Sequence, residues 1–237
     1  MTKMAQAAAL AFERKAVARL RRFPREPDRL IDGLRALVAL VIRGLLRLYH
    51  RFEIVGAANL PNDGESFLLV ANHSSHLDSV CLLAALPLRR LPRTFPVAAE
   101  DYFFRSLPRT WFAAVIMNAL PFGRQIRVRE SLSICRRLLE QKGNVLIIFP
   151  EGTRSRTGEM QPFKPGIGAL VAGGEVNVLP CYVQGAFRVW PKGRRFPRPG
   201  KVRLIIGRGR RYAEEERADA VVGELRRAVE ELKDGRG

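Results

Sequence analysis

The stretch Phe67-Leu68-Leu69-Val70-Ala71-Asn72-His73-Ser74-Ser75-His76-Leu77-Asp78 decides how the rest of the chain is read. Its first five residues are apolar without alternation, the pattern of a strand covered on both faces, and such strands belong to sheets with helices above and below. The run stops at Asn72, and the segment 77–86 has helical character. The unit is strand, turn, helix. Asn72 and His73 stand at the strand's carboxyl end, where ligand chemistry gathers in α/β sheets.

Similar β-type runs follow on both sides, at 52–55, 94–98, 145–149, 178–183 and 202–206. Helical patterns lie between them at 109–119, 130–141 and 166–172, and a charged helix over roughly 213–233 closes the chain. The alternation predicts an α/β fold, a central sheet flanked by helices. Residues 191–200, rich in proline and glycine and carrying Lys192, Arg194, Arg195 and Arg198, read as an exposed loop. Upstream, two helical stretches at 4–22 and 28–50 are separated by Pro24 and Pro27, so the expected division is an N-terminal helical pair over 1–50 and one domain over 51–237.

The second helix of that pair is amphipathic. Arg35, Arg43, Arg47 and Arg51 recur in multiples of four, and Leu37, Val38, Val41, Ile42, Leu45 and Leu48 supply the other side. A membrane span needs roughly 20 predominantly apolar residues, and Arg35, Arg43 and Arg47 interrupt every such window. The expectation is an interfacial helix with its guanidiniums among headgroups and its aliphatic side in the acyl boundary. The same pattern also fits a helix packed on the protein's own core.

Composition narrows the partners. With 237 residues, 47% of them hydrophobic, the chain can bury the core of one α/β domain plus an extension. Lysine and arginine number 41 against 23 acids, a formal charge of +18, which calls for a negative partner, nucleic acid or an anionic membrane. Zinc-finger spacing and interleaved basic-aromatic strands are absent, which argues against nucleic acid. Cys81, Cys135 and Cys181 have no CxxC partner and fit reduced, buried positions. Residues 1–22 lack the apolar core and small-residue cleavage site of a secretion signal.

The chemistry sits in two blocks. His73 suits removal of a proton from a hydroxyl, because imidazole titrates near neutrality, and Asp78 five residues on is placed to hold its other ring nitrogen. Ser75-x-x-Asp78 equally matches a capping box. His76 is a second imidazole, read as a wall or cap, and Asn72 as a residue bonding the loop. The second block, Phe149-Pro150-Glu151-Gly152-Thr153-Arg154-Ser155-Arg156, follows a buried strand run; Pro150 stops the ladder and Gly152 permits a sharp turn. That puts Glu151, Thr153, Arg154 and Arg156 at a strand mouth, where guanidinium forks suit a phosphate or carboxylate. Arg124, after the strand-like Pro121-Phe122-Gly123, supplies a third positive group. No Walker loop or Gly-x-Ser-x-Gly elbow accompanies them.

In order, the blocks resemble the lysophospholipid acyltransferase family, typified by 1-acyl-sn-glycerol-3-phosphate acyltransferases. Asn72 to Asp78 has that family's Asn-His-x-Ser-x-x-Asp form, and Phe149 to Ser155 its Phe-Pro-Glu-Gly-Thr-Arg-Ser form; Arg124 and Val178-Leu179-Pro180 match the remaining blocks. The resemblance covers roughly 52–207 and implies the glycerolipid acyltransferase fold, a central mixed sheet. It makes His73 the catalytic base and Asp78 its partner, and makes Arg124, Glu151, Gly152, Thr153 and Arg154 acceptor-binding residues. It implies direct transfer of an acyl group from acyl-CoA or acyl-carrier protein to a lysophospholipid hydroxyl at the cytoplasmic face of an anionic membrane, with no metal or cofactor and with oxyanion donors around Gly152. One departure is Gly123, where the family often has aspartate. Another lysolipid or aminolipid acceptor, a thioesterase, and a non-enzymatic basic membrane-binding protein are the rival readings.

Overall fold

The computed structural model describes residues 28–100, 106–123, 128–213 and 217–235; the helix expected over 4–22 and Arg124 lie outside them. Among the described residues the strands are β1 (Glu53–Val55), β2 (Phe67–Ala71), β3 (Thr94–Ala99), β4 (Leu120–Phe122), β5 (Val145–Ile148), β6 (Asn177–Gln184) and β7 (Arg203–Ile206). They form one sheet in the order β1-β7-β6-β2-β5-β3-β4. Every pairing is parallel except β6 with β7, so the sheet is mixed.

β2 is its centre, and all five of its residues are buried. Period-two geometry sends Phe67, Leu69 and Ala71 to one face and Leu68 and Val70 to the other, and the two sets lie in separate hydrophobic clusters. The first cluster is closed by α1 (Arg29–His50), through Leu46, and by α2 (Leu77–Ala85), through Leu77, Cys81 and Leu82. The second is closed by α4 (Val128–Glu140), α5 (Gly166–Val171) and α6 (Ala218–Lys233), through Leu138, Leu170 and Leu225 among others. Two helical layers therefore cover the sheet, which is why its central strands carry no polar alternation. The three cysteines are free and buried, as their spacing predicts.

One element differs from expectation. The helix expected over 109–119 is α3 (Leu107–Trp111) running into a π-helical turn, Phe112–Ile116, and it ends before Asn118 at φ 51°. Asn118 is held there by donating to the carbonyls of Pro92 and Thr94 at 3.0 and 3.2 Å. The strand expected over 178–183 is β6, which runs through Pro180 to Gln184, and the Pro180 carbonyl accepts from Gly207 N–H at 2.8 Å.

The larger correction concerns α1. It is amphipathic as predicted, but Arg35 and Arg43 face the protein. The Arg35 guanidinium, 10% exposed, donates to the carbonyls of Val115 and Ala114 at 2.7 and 3.2 Å and pairs with Asp32 at 2.9 Å. Arg43 donates to the carbonyl of Leu86, at the C-cap of α2. Both arginines satisfy carbonyls that helix ends leave orphaned. The solvent side instead carries Leu30, Leu34, Leu37, Val41, Leu45 and Leu48, spaced by threes and fours along one stripe, with Leu30 and Leu48 86% and 85% exposed. No described helix is long and apolar enough to cross a membrane.

Candidate active site

At the carboxyl end of β2, Asn72 extends the strand with its side chain. Its Oδ1 accepts from Val183 N–H at 2.7 Å and its Nδ2 donates to the Val183 carbonyl at 3.3 Å, so it bonds β6 rather than its own loop. The next residue, His73, is fixed on four sides. Its N–H donates to Glu151 Oε1 at 2.7 Å, its carbonyl accepts from Ser155 N–H at 2.8 Å, and its ring stacks on Phe149 with centroids 4.0 Å apart and planes 16° from parallel. Its Nδ1 meets Asp78 Oδ2 at 2.9 Å.

The capping and orienting roles predicted as alternatives for Asp78 prove to be one arrangement. The chain bends through Ser74 and Ser75 into α2, so the same Oδ2 that holds the imidazole accepts the N–H groups of Ser74 and Ser75 at 2.6 and 2.7 Å. The carboxylate is fully buried, while the His73 side chain is 19% exposed. An acceptor at Nδ1 fixes the proton on that nitrogen and leaves Nε2 as the basic one. Nε2 has no partner among the described residues. Ser75 is structural: its hydroxyl donates to the Trp190 carbonyl at 2.7 Å and accepts from Leu77 N–H at 3.1 Å.

β5 delivers the second block beside the first, because Ile148 is in register with Val70. Glu151 is 1% exposed, and its carboxylate joins the blocks: Oε1 takes His73 N–H and Oε2 takes Gln161 N–H at 3.0 Å. Burial pushes this carboxyl up to about 7, against the pull of its two N–H donors and of Arg226. Both oxygens of Glu151 thus hold backbone N–H groups, one from each side of the site. Gly152 makes the predicted turn at φ 72°, and its N–H donates to the Phe149 carbonyl at 3.0 Å, so that group is already committed rather than open to an oxyanion. Thr153 and Arg156 are exposed at the mouth.

Arg154 crosses back to the first block, where its guanidinium contacts His76 Nε2. Burial, and then the Arg154 charge, push His76 down to about 4, so at neutral pH this imidazole is an acceptor for the guanidinium and not an acid. The Trp190 ring backs it at 5.2 Å. Burial raises the Cys135 thiol to about 12 and raises Cys81 and Cys181 as well, removing them as nucleophiles. Sequence reasoning missed the Phe149 stack, the Ser155 amide and Trp190. Phe149 and Ser155 were within the block already singled out, whereas nothing local to Trp190 signals its contact with residues far upstream.

A half-buried strand-end histidine with one nitrogen held by a buried carboxylate, beside an arginine, defines the class: an α/β domain with a His–Asp pair at the carboxyl end of its central strand. The sequence model of the Acyltransferase family matches residues 51–184, more than half of the chain, and the chain belongs to that family. It is 30% identical over 161 residues to a chloroplast 1-acyl-sn-glycerol-3-phosphate acyltransferase of Brassica napus, a match covering 67% of this chain and 44% of that protein. It is 27% identical over 180 residues to 1-acyl-sn-glycerol-3-phosphate acyltransferase alpha of Mus musculus, covering 74% and 60%. Among solved structures, the 1-acyl-sn-glycerophosphate acyltransferase PlsC of Thermotoga maritima matches with a TM-score of 0.61 and 28% identity, over 88% of this chain and 84% of that one. The matched region spans less than half the length of the plant relative.

Proposed function

We propose that this protein transfers a fatty acyl group from acyl-CoA or acyl-carrier protein to the free hydroxyl of a lysophospholipid, first of all 1-acyl-sn-glycerol-3-phosphate, giving phosphatidate. The observation that carries this reading is the His73–Asp78 pair, with Nδ1 held at 2.9 Å, Nε2 left for the acceptor, and Arg154 reaching the same turn through His76. Nε2 takes the hydroxyl proton as the oxygen attacks the thioester carbonyl, and the imidazolium that forms is stabilised by Asp78. Collapse of the tetrahedral intermediate breaks the carbon–sulfur bond, and the thiolate leaves as thiol with the proton His73 carried. Ester and thiol are the products. Arg154, and by family resemblance Arg124, hold the acceptor phosphate.

The acceptor is a lipid, so the reaction belongs at a membrane surface. The aliphatic stripe of α1 suits the acyl boundary, and the excess of 41 basic over 23 acidic residues suits an anionic leaflet, in keeping with peripheral attachment of the 1–50 segment at the cytoplasmic face.

The test is a panel of lysolipids in vesicles with radiolabelled acyl-CoA or acyl-carrier protein. Label in phosphatidate, lost in a folded His73→Ala variant, is the expected result. Label found only in free fatty acid would make the protein a thioesterase, and label in another lipid would replace the acceptor.

A further inference from the structure

Residues 190–200 form a braced loop with an aromatic lifted out of it. Trp190 Nε1 donates to the Arg194 carbonyl at 2.9 Å, Arg194 Nε to the Phe196 carbonyl at 3.1 Å, and Arg198 N–H to the Val189 carbonyl at 2.9 Å. Despite this bracing, Phe196 is 68% exposed. Lys192, Arg195 and Arg198 are exposed around it, and the segment contains no acid. The loop adjoins the C-terminal end of α1: Tyr49 donates through its hydroxyl to the Pro197 carbonyl at 3.4 Å, and Gly200 N–H donates to the Tyr49 carbonyl at 3.4 Å. Leu45, Leu48 and Tyr49 there are themselves exposed, and the Tyr49–Pro197 bond puts Phe196 next in sequence to a contact with the helix end that carries the aliphatic stripe.

We propose that this loop is a second lipid-contacting element, in which Phe196 enters the acyl boundary of an anionic bilayer while Lys192, Arg195 and Arg198 meet the headgroup phosphates. It rests on the reading that the enzyme works at a bilayer, and it adds what α1 alone does not provide. A helix lying in an interface is free to roll about its axis, and a contact off that axis stops the roll. The loop is also wired to the base: the Trp190 carbonyl takes the Ser75 hydroxyl, Pro191 bridges to Ser75, and the Trp190 ring backs His76. Seating Phe196 in lipid thereby turns the His73 mouth toward the leaflet that holds the acceptor. The occupant is lipid rather than an acidic carrier protein because the basic residues flank an exposed aromatic in a loop bonded to the helix end that carries a long aliphatic stripe.

The test uses the full chain with vesicles rich in phosphatidylglycerol. Because all three native cysteines are buried, a Phe196→Cys variant takes a polarity-sensitive fluorophore at that site. The label is expected to shift to the blue on vesicles and to be quenched by lipids brominated in their acyl chains. Phe196→Asp is expected to bind vesicles about tenfold more weakly, with unchanged turnover on a monodisperse short-chain lysolipid. A label that stays in water on vesicle-bound protein, or full vesicle binding by Phe196→Asp, overturns the proposal and leaves the bilayer reading standing. Normal vesicle binding with a loss confined to carrier-protein donors overturns it in favour of a protein partner. Failure of the wild-type chain to bind vesicles sinks both.

Discussion

Replacing Asp78 by asparagine separates two tasks that one carboxylate performs. Asp78 Oδ2 accepts three donors: His73 Nδ1–H and the N–H groups of Ser74 and Ser75. Only a carbonyl oxygen fits that position, because an NH₂ there would confront two fixed backbone donors at about 1–3 kcal/mol each. The asparagine oxygen therefore takes the place of Oδ2, and its NH₂ takes that of Oδ1, which is buried and has no partner among the described residues. The bond to Nδ1 and the tautomer survive, and the charge is lost. Stabilisation of the imidazolium by a charged rather than a neutral acceptor is worth roughly 1.5–3 kcal/mol, so kcat falls about 10–100-fold. KM changes little, and stability stays within about 1 kcal/mol of wild type.

The assay is thiol release from acyl-CoA in lysolipid vesicles, with thermal unfolding alongside. Unchanged kcat would deny the carboxylate charge any role. A loss near the roughly 10⁴-fold that accompanies an inverted tautomer would show that the amide turns over, refuting the clamp argument.

The Glu151 carboxyl, raised from 4.5 to about 7 by burial, binds its proton more readily in the folded chain than in the unfolded one. Stability therefore rises as pH falls through about 7 toward 4.5, by about 3 kcal/mol at most, and Glu151→Gln should remove that part of the pH dependence of Tm; an unaltered slope would place it elsewhere. On α1, Leu37→Glu and Leu45→Glu should each weaken vesicle binding about tenfold, whereas Arg35→Glu should mainly lower Tm by stranding the Ala114 and Val115 carbonyls; co-sedimentation and calorimetry distinguish them, and the opposite ranking would restore the arginines to the lipid side. His76→Ala removes the acceptor that holds Arg154 and should raise KM for a phosphate-bearing acceptor roughly 3–10-fold at nearly constant kcat, with His76→Gln recovering most of it. A fall in kcat alone would contradict that role.

Local physics made much of this legible in the chain itself. Runs such as 67–71 and 145–148 have no polar residue to turn toward water, so a sheet covered on both faces follows from side-chain period alone. A histidine and an aspartate separated by a serine bend can meet only if the bend and the following helix form, and both are local features. What could not be read is where long-range partners go. An apolar stripe is equally content against a core or against lipid, so the amphipathic pattern of α1 could not say which side faces inward. That was decided by orphan carbonyls at Leu86, Ala114 and Val115, which drew Arg43 and Arg35 into the protein and left the leucines outside.

The same division holds at the site. Sequence determined that His73 and the turn at Gly152 stand at strand ends and that Asp78 opens the helix after the first of them, because apolar runs, caps and glycine act over a few residues. Tertiary structure alone decided that β5 lies beside β2 and that β7 runs antiparallel to β6. It likewise gave the Glu151 carboxylate to His73 and Gln161 backbone and made His76 the acceptor of Arg154. A buried carboxylate or imidazole takes whichever donor packing brings within reach, and that choice belongs to the assembled sheet.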